Sequence, residues 1–158
     1  MPITITGPLA QAEQDTTAHA LQGALVDLLD LSLTAKQAHW TLLGPHFRSL
    51  HQHLDELVTT ARDFADTLAE RAATIGTPPD GRSATITATS ALPPFPDGWV
   101  KDTDALDLIT TTLSDLIGRT RRRIEDTAGT DPVSQDLLIA LAGELEKQHW
   151  MLQAAHEH

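Results

Sequence analysis

The sequence predicts an all-α protein: four long helices packed as one bundle, with a long crossover between the second and third that carries a short helix of its own. Three observations lead there. Apolar residues recur at three- and four-residue spacing along four long stretches. Glycine, proline and aspartate punctuate the chain between those stretches, at Gly44-Pro45, from Gly76 to Gly81 and at Asp131-Pro132. The 158 residues suffice for one domain with a good core.

Residues 1–14 contain Pro2, Gly7 and Pro8 but no Lys or Arg, and we read them as a mobile arm ahead of a bundle domain over 15–158. The first helix is expected to start near Asp15 to Thr17, whose side chains can cap it. Leu21, Leu25, Leu28, Ser32, Ala35 and His39 form its inward stripe. Gly44-Pro45 ends it and admits a second helix over about 47–75. Leu50, Leu54, Leu57, Ala61, Phe64, Leu68 and Ala72 are the core positions of that helix. The crossover extends to Gly98, with a short periodic piece over Ser83–Thr89 and then Pro93-Pro94-Phe95-Pro96. A connection this long lets the third helix, Asp102–Thr127, run in a direction that a tight turn forbids. Leu106, Ile109, Leu113, Leu116 and Ile124 face inward on it. Asp131 reads as an N-cap and Pro132 as the first residue of the fourth helix, with Leu138, Leu141, Leu145 and Leu152 in the core.

Composition removes several classes of function. Without Cys, neither a disulfide framework nor a thiolate metal site is available. No apolar run approaches membrane-spanning length and no basic-plus-apolar leader opens the chain, so a cytoplasmic protein is expected. Acidic residues number 22 against 11 basic, and the formal net charge of −11 argues against nonspecific attraction to nucleic acid and for handling cations.

The chemistry concentrates between Lys36 and Arg71. On the second helix, His51 and Asp55 are one turn apart on one face, and so are Asp66 and Glu70. Asp55 and Asp66 are about three full turns apart, so all four share a stripe, separated along the axis by roughly 16 Å. One metal site cannot use both pairs of a single copy. Both outer and inner pairs, however, are centred between residues 60 and 61. If the helix packs antiparallel on its own copy about that point, His51 faces Glu70 and Asp55 faces Asp66. We therefore expect two equivalent sites per dimer. His39, on the inward stripe of the first helix, supplies a second imidazole. Two imidazoles with three carboxylates suit iron rather than a metal that prefers soft thiolates.

These segments also carry a resemblance. K-Q-A-H-W at 36–40, H-x-x-x-D at 51–55, D-x-x-x-E-R at 66–71 and L-E-K-Q-H-W-M-L at 145–152 closely resemble the Dps family (DNA-binding proteins from starved cells, or mini-ferritins), over nearly the whole chain from about residue 17. The resemblance implies a ferritin-like four-helix bundle and a two-iron ferroxidase centre. His39, His51 and Asp55 come from one subunit in that arrangement, and Asp66 and Glu70 from its two-fold mate. It further implies a dodecameric shell, oxidation of Fe(II) by hydrogen peroxide or less efficiently by O₂, storage of ferric mineral and protection of DNA from oxidative damage. Asp126, Asp131 and Asp136 become candidates to line three-fold pores that admit iron, with N-capping an equal account of Asp131. Trp40 is expected near the site, either shielding reactive intermediates or as core packing.

Some features depart from that pattern or stand outside it. Family members that bind DNA typically use a Lys/Arg-rich terminal extension, which neither the N-terminal arm nor the His156-Glu157-His158 end supplies. Arg119 and Arg121, Arg122 and Arg123 form the only basic run, read as a solvated face paired with Glu125 and Asp126. The alternative function is a nucleoid-associated, DNA-compacting protein in which iron is secondary. Glu146 and His149 have the E-x-x-H spacing of a di-iron centre inside a bundle. A second such motif is missing and the first helix, begun at Asp15, has no Glu, so both are read as structural. His46 and His53 are read as surface histidines.

Overall fold

The computed structural model describes residues 1–156; the last two positions of the expected bundle domain lie outside the described residues. The chain runs α1 (Gln11–Thr41), β1 (Leu42–Leu43), α2 (Phe47–Thr74), α3 (Ser83–Thr89), β2 (Val100–Lys101), α4 (Asp102–Thr127) and α5 (Pro132–Ala154). The four long helices form the bundle and α3 sits in the crossover against α1, as the sequence predicts.

Helix starts and stops follow local chemistry. α1 begins at Gln11 rather than near Asp15, because the Glu13 carboxylate accepts the Ala10 backbone N–H at 3.3 Å and serves the helix start. The helix therefore does contain a Glu. Thr17, proposed as a cap, is buried instead, its hydroxyl sharing a 2.9 Å hydrogen bond with that of Thr130. α2 ends in a Schellman turn: Thr77 N–H bonds Ala72 C=O, Gly76 N–H bonds Ala73 C=O, and Gly76 takes φ +95°. Residues 1–10 form no helix or strand, yet their backbone lies close against this turn; a Cβ on Gly76 would stand 2.7 Å from the Ile5 oxygen. Asp131 caps α5 as expected, accepting from the N–H groups of Val133 and Ser134.

The core is a leucine-rich seam. Leu21, Leu28, Leu54, Leu57, Leu113 and Leu141 are among its fully sealed members. Each contributes about 2 kcal/mol by leaving water. Two core assignments shift. Ala65, not Phe64, takes the sealed position on α2, and Ile124 is only partly buried.

The crossover sets the helix directions. β1 and β2 pair in parallel, Leu42 opposite Val100 and Leu43 opposite Lys101. Each short strand leads towards the helix that follows it, so α2 and α4 start at the same end of the bundle. Buried Asp102 fastens that end, accepting N–H groups from His46 at 2.8 Å and Thr103 at 2.9 Å. At the other end Arg71 donates to Asp131 at 2.7 Å and to Ser134 Oγ at 3.0 Å. α2 is thus tied near both ends, which fixes its rotation and hence which stripe it presents outward.

The basic run has different partners from those expected. Asp27 of α1 is buried and accepts from Arg119 at 3.0 and 3.2 Å and from Arg123 at 2.7 Å. Arg121 pairs with Glu146 of α5 at 2.5 Å. Glu125 and Asp126 are not the partners. Two arginines that look like a solvated stripe are in fact half-buried, compensating a carboxylate on a facing helix. Among the described residues no helix is long and apolar enough to cross a membrane.

Candidate metal centre

The centre is built where α1 ends and α2 begins. Gly44 allows the sharp reversal: its φ is +145°, and a Cβ there would meet the Asp102 carboxyl at 2.4 Å. The reversal brings His39 and His51 face to face, rings stacked at 3.5 Å between centroids and 13° between planes. Phe47 stacks on the His51 ring at 4.9 Å. Each histidine Nδ1–H donates to the other's backbone carbonyl, His39 to His51 at 2.6 Å and His51 to His39 at 2.7 Å. Carbonyls in the last turn of a helix lack helical partners, so the His51 donor also satisfies an orphan group of α1. Because carbonyls only accept, the proton of both neutral rings is fixed on Nδ1. The lone pair is then on Nε2, the state in which imidazole binds a metal.

Asp55, one turn beyond His51, lines the same open concavity as the two imidazoles. Lys36 of α1 hydrogen-bonds and ion-pairs with Asp55. That bond outweighs the opposing effect of burial and, with the charge of Lys36, holds the Asp55 carboxyl below the usual carboxylate range. Three of the five proposed ligands are therefore brought together. Asp66 and Glu70 are not: both are exposed, farther along α2. Among the described residues, no group of three or more His, Asp or Glu side chains closes around a metal position within the single chain.

The remaining expected residues divide. Of Asp126, Asp131 and Asp136, the first and last are exposed, while Asp131 is buried as cap and ion-pair partner. Burial opposes its charge, but the bonds from Ser134 and Arg71 outweigh that and hold its carboxyl below the usual range. Trp40 is not core: it is 61% exposed, with the Lys36 ammonium 5.9 Å from its ring centroid. His53 is not a surface histidine; it is half-buried and bonded through Nε2 to buried Gln148 at 2.8 Å. His46 is exposed, 3.3 Å from Asp102. Glu146 is taken up by Arg121, in keeping with a structural reading.

Sequence reasoning missed Lys36, Asp102 and Asp27. Lys36 was findable: it lies three residues before His39 and four before Trp40, on the face that carries the site. Asp102 and Asp27 gave no local signal, since their partners are remote in sequence.

Four helices with one crossover, and a His/carboxylate concavity on the second, define a ferritin-like protein. Residues 18–158 match the family model of the ferritin-like domain. The chain is 39% identical over 154 residues to the DNA protection during starvation protein of Mycolicibacterium smegmatis, covering 96% of this chain and 82% of that one. It is 40% identical over 151 residues to the fine tangled pili major subunit of Haemophilus ducreyi, covering 96% and 79%. The solved tetragonal form of Mycobacterium smegmatis Dps matches with a TM-score of 0.92 at 35% identity, covering 100% of this chain and 95% of that one. Dps92 from Deinococcus radiodurans matches at 0.89 and 33%, covering 91% and 87%. The chain belongs to the Dps family of ferritin-like proteins.

Proposed function

We propose that the protein is a ferroxidase and iron-storing mini-ferritin, assembled as a cytoplasmic dodecameric shell. The observation that carries this reading is the His39–His51 pair, both Nδ1 protons fixed on carbonyls, beside Asp55 on one open concavity. A site of two imidazoles and one carboxylate is incomplete for a pair of iron ions. Asp66 and Glu70 of a second copy complete it if two α2 helices pack antiparallel about the point between residues 60 and 61. Fe(II) is the substrate. Two Fe(II) ions each give one electron, the O–O bond of hydrogen peroxide breaks, and two hydroxides form. Hydrolysis of the resulting Fe(III) releases protons and builds mineral. Hard carboxylate oxygens favour the ferric product, and two-electron reduction of peroxide avoids releasing hydroxyl radical.

DNA protection then follows from removing Fe(II) and peroxide together and requires no contact with DNA. Exposed Asp126 and Asp136 are the carboxylates available to line an iron entry path. The test is the double variant Asp66→Ala/Glu70→Ala. Rapid peroxide-driven Fe(II) oxidation should disappear while the particle keeps its size by light scattering. Wild-type rates in that variant would remove both residues from the centre.

A further inference from the structure

We propose that the chain carries a second metal site, apart from the concavity on α2, in which His46, His53 and His156 hold a divalent transition-metal ion of the Zn(II) type. The proposal stands independently of the ferroxidase reading, because the cavity these residues line shares no wall residue with that concavity.

The three imidazoles come from three places in the chain. His46 immediately precedes α2, His53 lies in the second turn of α2, and His156 follows the end of α5. They meet around a cavity of about 140 Å³ at the end of the bundle where α2 and α4 start, walled also by Ser49, Leu50 and Asp102. That is room for an ion and a few waters, each of which takes about 30 Å³. Among the described residues no Lys or Arg lines the cavity, so no fixed positive charge there repels a cation.

A second observation concerns what stands behind each ring. A metal-binding histidine uses one nitrogen for the ion and gives the N–H of the other to a carboxylate or carbonyl oxygen, which fixes its tautomer and orientation. All three rings have such a partner. His46 Nδ1 lies 3.3 Å from buried Asp102, and His156 Nδ1 lies 3.4 Å from Asp107. His53 Nε2–H donates to Gln148 Oε1 at 2.8 Å, and the Gln148 amide is oriented by its own N–H bond to Glu144 at 3.2 Å. One nitrogen is left on each ring: Nε2 of His46, Nε2 of His156 and Nδ1 of His53. Among the described residues no three such donors already close around one point. The ion must draw the rings inward, and the slack is where it is needed: the His46 and His156 contacts are longer than a hydrogen bond of about 3.2 Å, and both residues lie outside the helices. Three imidazoles without a thiolate suit Zn(II), which also accepts a water as fourth ligand, and not Ca(II) or Mg(II), which take oxygen ligands. Bound metal ties the chain beyond α5 to the start of α2.

The test titrates Zn(II) into the assembled, iron-free protein by calorimetry at neutral pH. Wild type should take up one ion per chain that His46→Gln and His156→Gln each bind more than about tenfold more weakly, whatever else the α2 concavity binds. Asp107→Asn, an exposed substitution that removes only the oxygen behind His156, should weaken the same ion about tenfold. His158→Gln should bind as wild type does. Zn(II) should also raise the melting temperature of wild type more than that of His156→Gln. Isotherms that coincide for wild type, His46→Gln and His156→Gln would overturn the site. Equal weakening by His158→Gln would overturn it too, by assigning the ion to the histidines of the chain end and not to the cavity.

Discussion

At the scale of single residues, the family motifs split into candidate ligands and side chains that brace the helices around them. Arg71 closes D-x-x-x-E-R, next to Glu70, but points into the bundle at Asp131 and Ser134. Gln148 of L-E-K-Q-H-W supports His53. The five candidate ligands could be proposed from the sequence because helical spacing places residues on a face without any knowledge of the fold. The supporting partners could not, because an Arg71–Asp131 or Arg119–Asp27 pair joins residues far apart in the chain, and an arginine run reads the same whether solvated or buried. Asp131 gives a residue-scale prediction. Its folded-state pKa is depressed, below an unfolded-state value of about 3.9. Its contribution is therefore complete above that value and is lost as pH falls through the folded pKa. Asp131→Asn should melt lower than wild type at pH 7 and lose less on acidification below about pH 4. Asp131→Ala should cost about 3 kcal/mol, because it leaves the half-buried Arg71 charge without its partner. Parallel melting curves across pH for wild type and Asp131→Asn would remove Asp131 from the acid response.

At the scale of elements, the centre depends on a turn more than on either helix. Gly44-Pro45 announced the break in the sequence. What it did not announce was the left-handed region backbone at Gly44 or the Asp102 carboxylate pressed against it from the start of α4. The β1–β2 pair was equally invisible, since two residues on each side carry no period. The early start of α1 was missed for a simpler reason: the cap comes from Glu13 in the first turn, while Asp15 and Thr17 offered themselves as conventional N-caps. Gly44→Ala forces a Cβ into the Asp102 carboxyl and a side chain into unfavourable φ. It should destabilise the protein by about 2 kcal/mol or more. The reciprocal His39–His51 bonds should loosen with it, so Fe(II) oxidation should slow even at temperatures where the variant stays folded. Unchanged melting and unchanged oxidation would show that the reversal tolerates a β-carbon.

At the scale of the whole molecule, the outer face is unlike that of a lone bundle. Trp40, Trp99 and Trp150, all three tryptophans of the chain, are mostly exposed, Leu43 is exposed as well, and Phe47 lies open beside the His51 ring. Exposed large apolar groups of this kind mark surfaces that other chains cover. The net charge of −11 describes the same surface from the other side. With Asp27 and Glu146 engaging Arg119, Arg121 and Arg123, little free positive charge remains in that run for phosphate. A gel-shift titration at low salt and neutral pH should show no retarded DNA, and a shift that weakens steeply with added salt would favour the DNA-compacting alternative.

The central claim is that each iron centre takes its ligands from two copies of the chain. It is tested by mixing subunits in one assembly. Subunits carrying His51→Ala/Asp55→Ala are refolded together with subunits carrying Asp66→Ala/Glu70→Ala. Each variant alone should be inactive. With random pairing half the dimers are mixed, and each mixed dimer holds one intact site of two, so about a quarter of the wild-type peroxide-driven oxidation should return. Activity that stays at the level of the parents in well-formed mixed particles would contradict a centre shared across a two-fold interface.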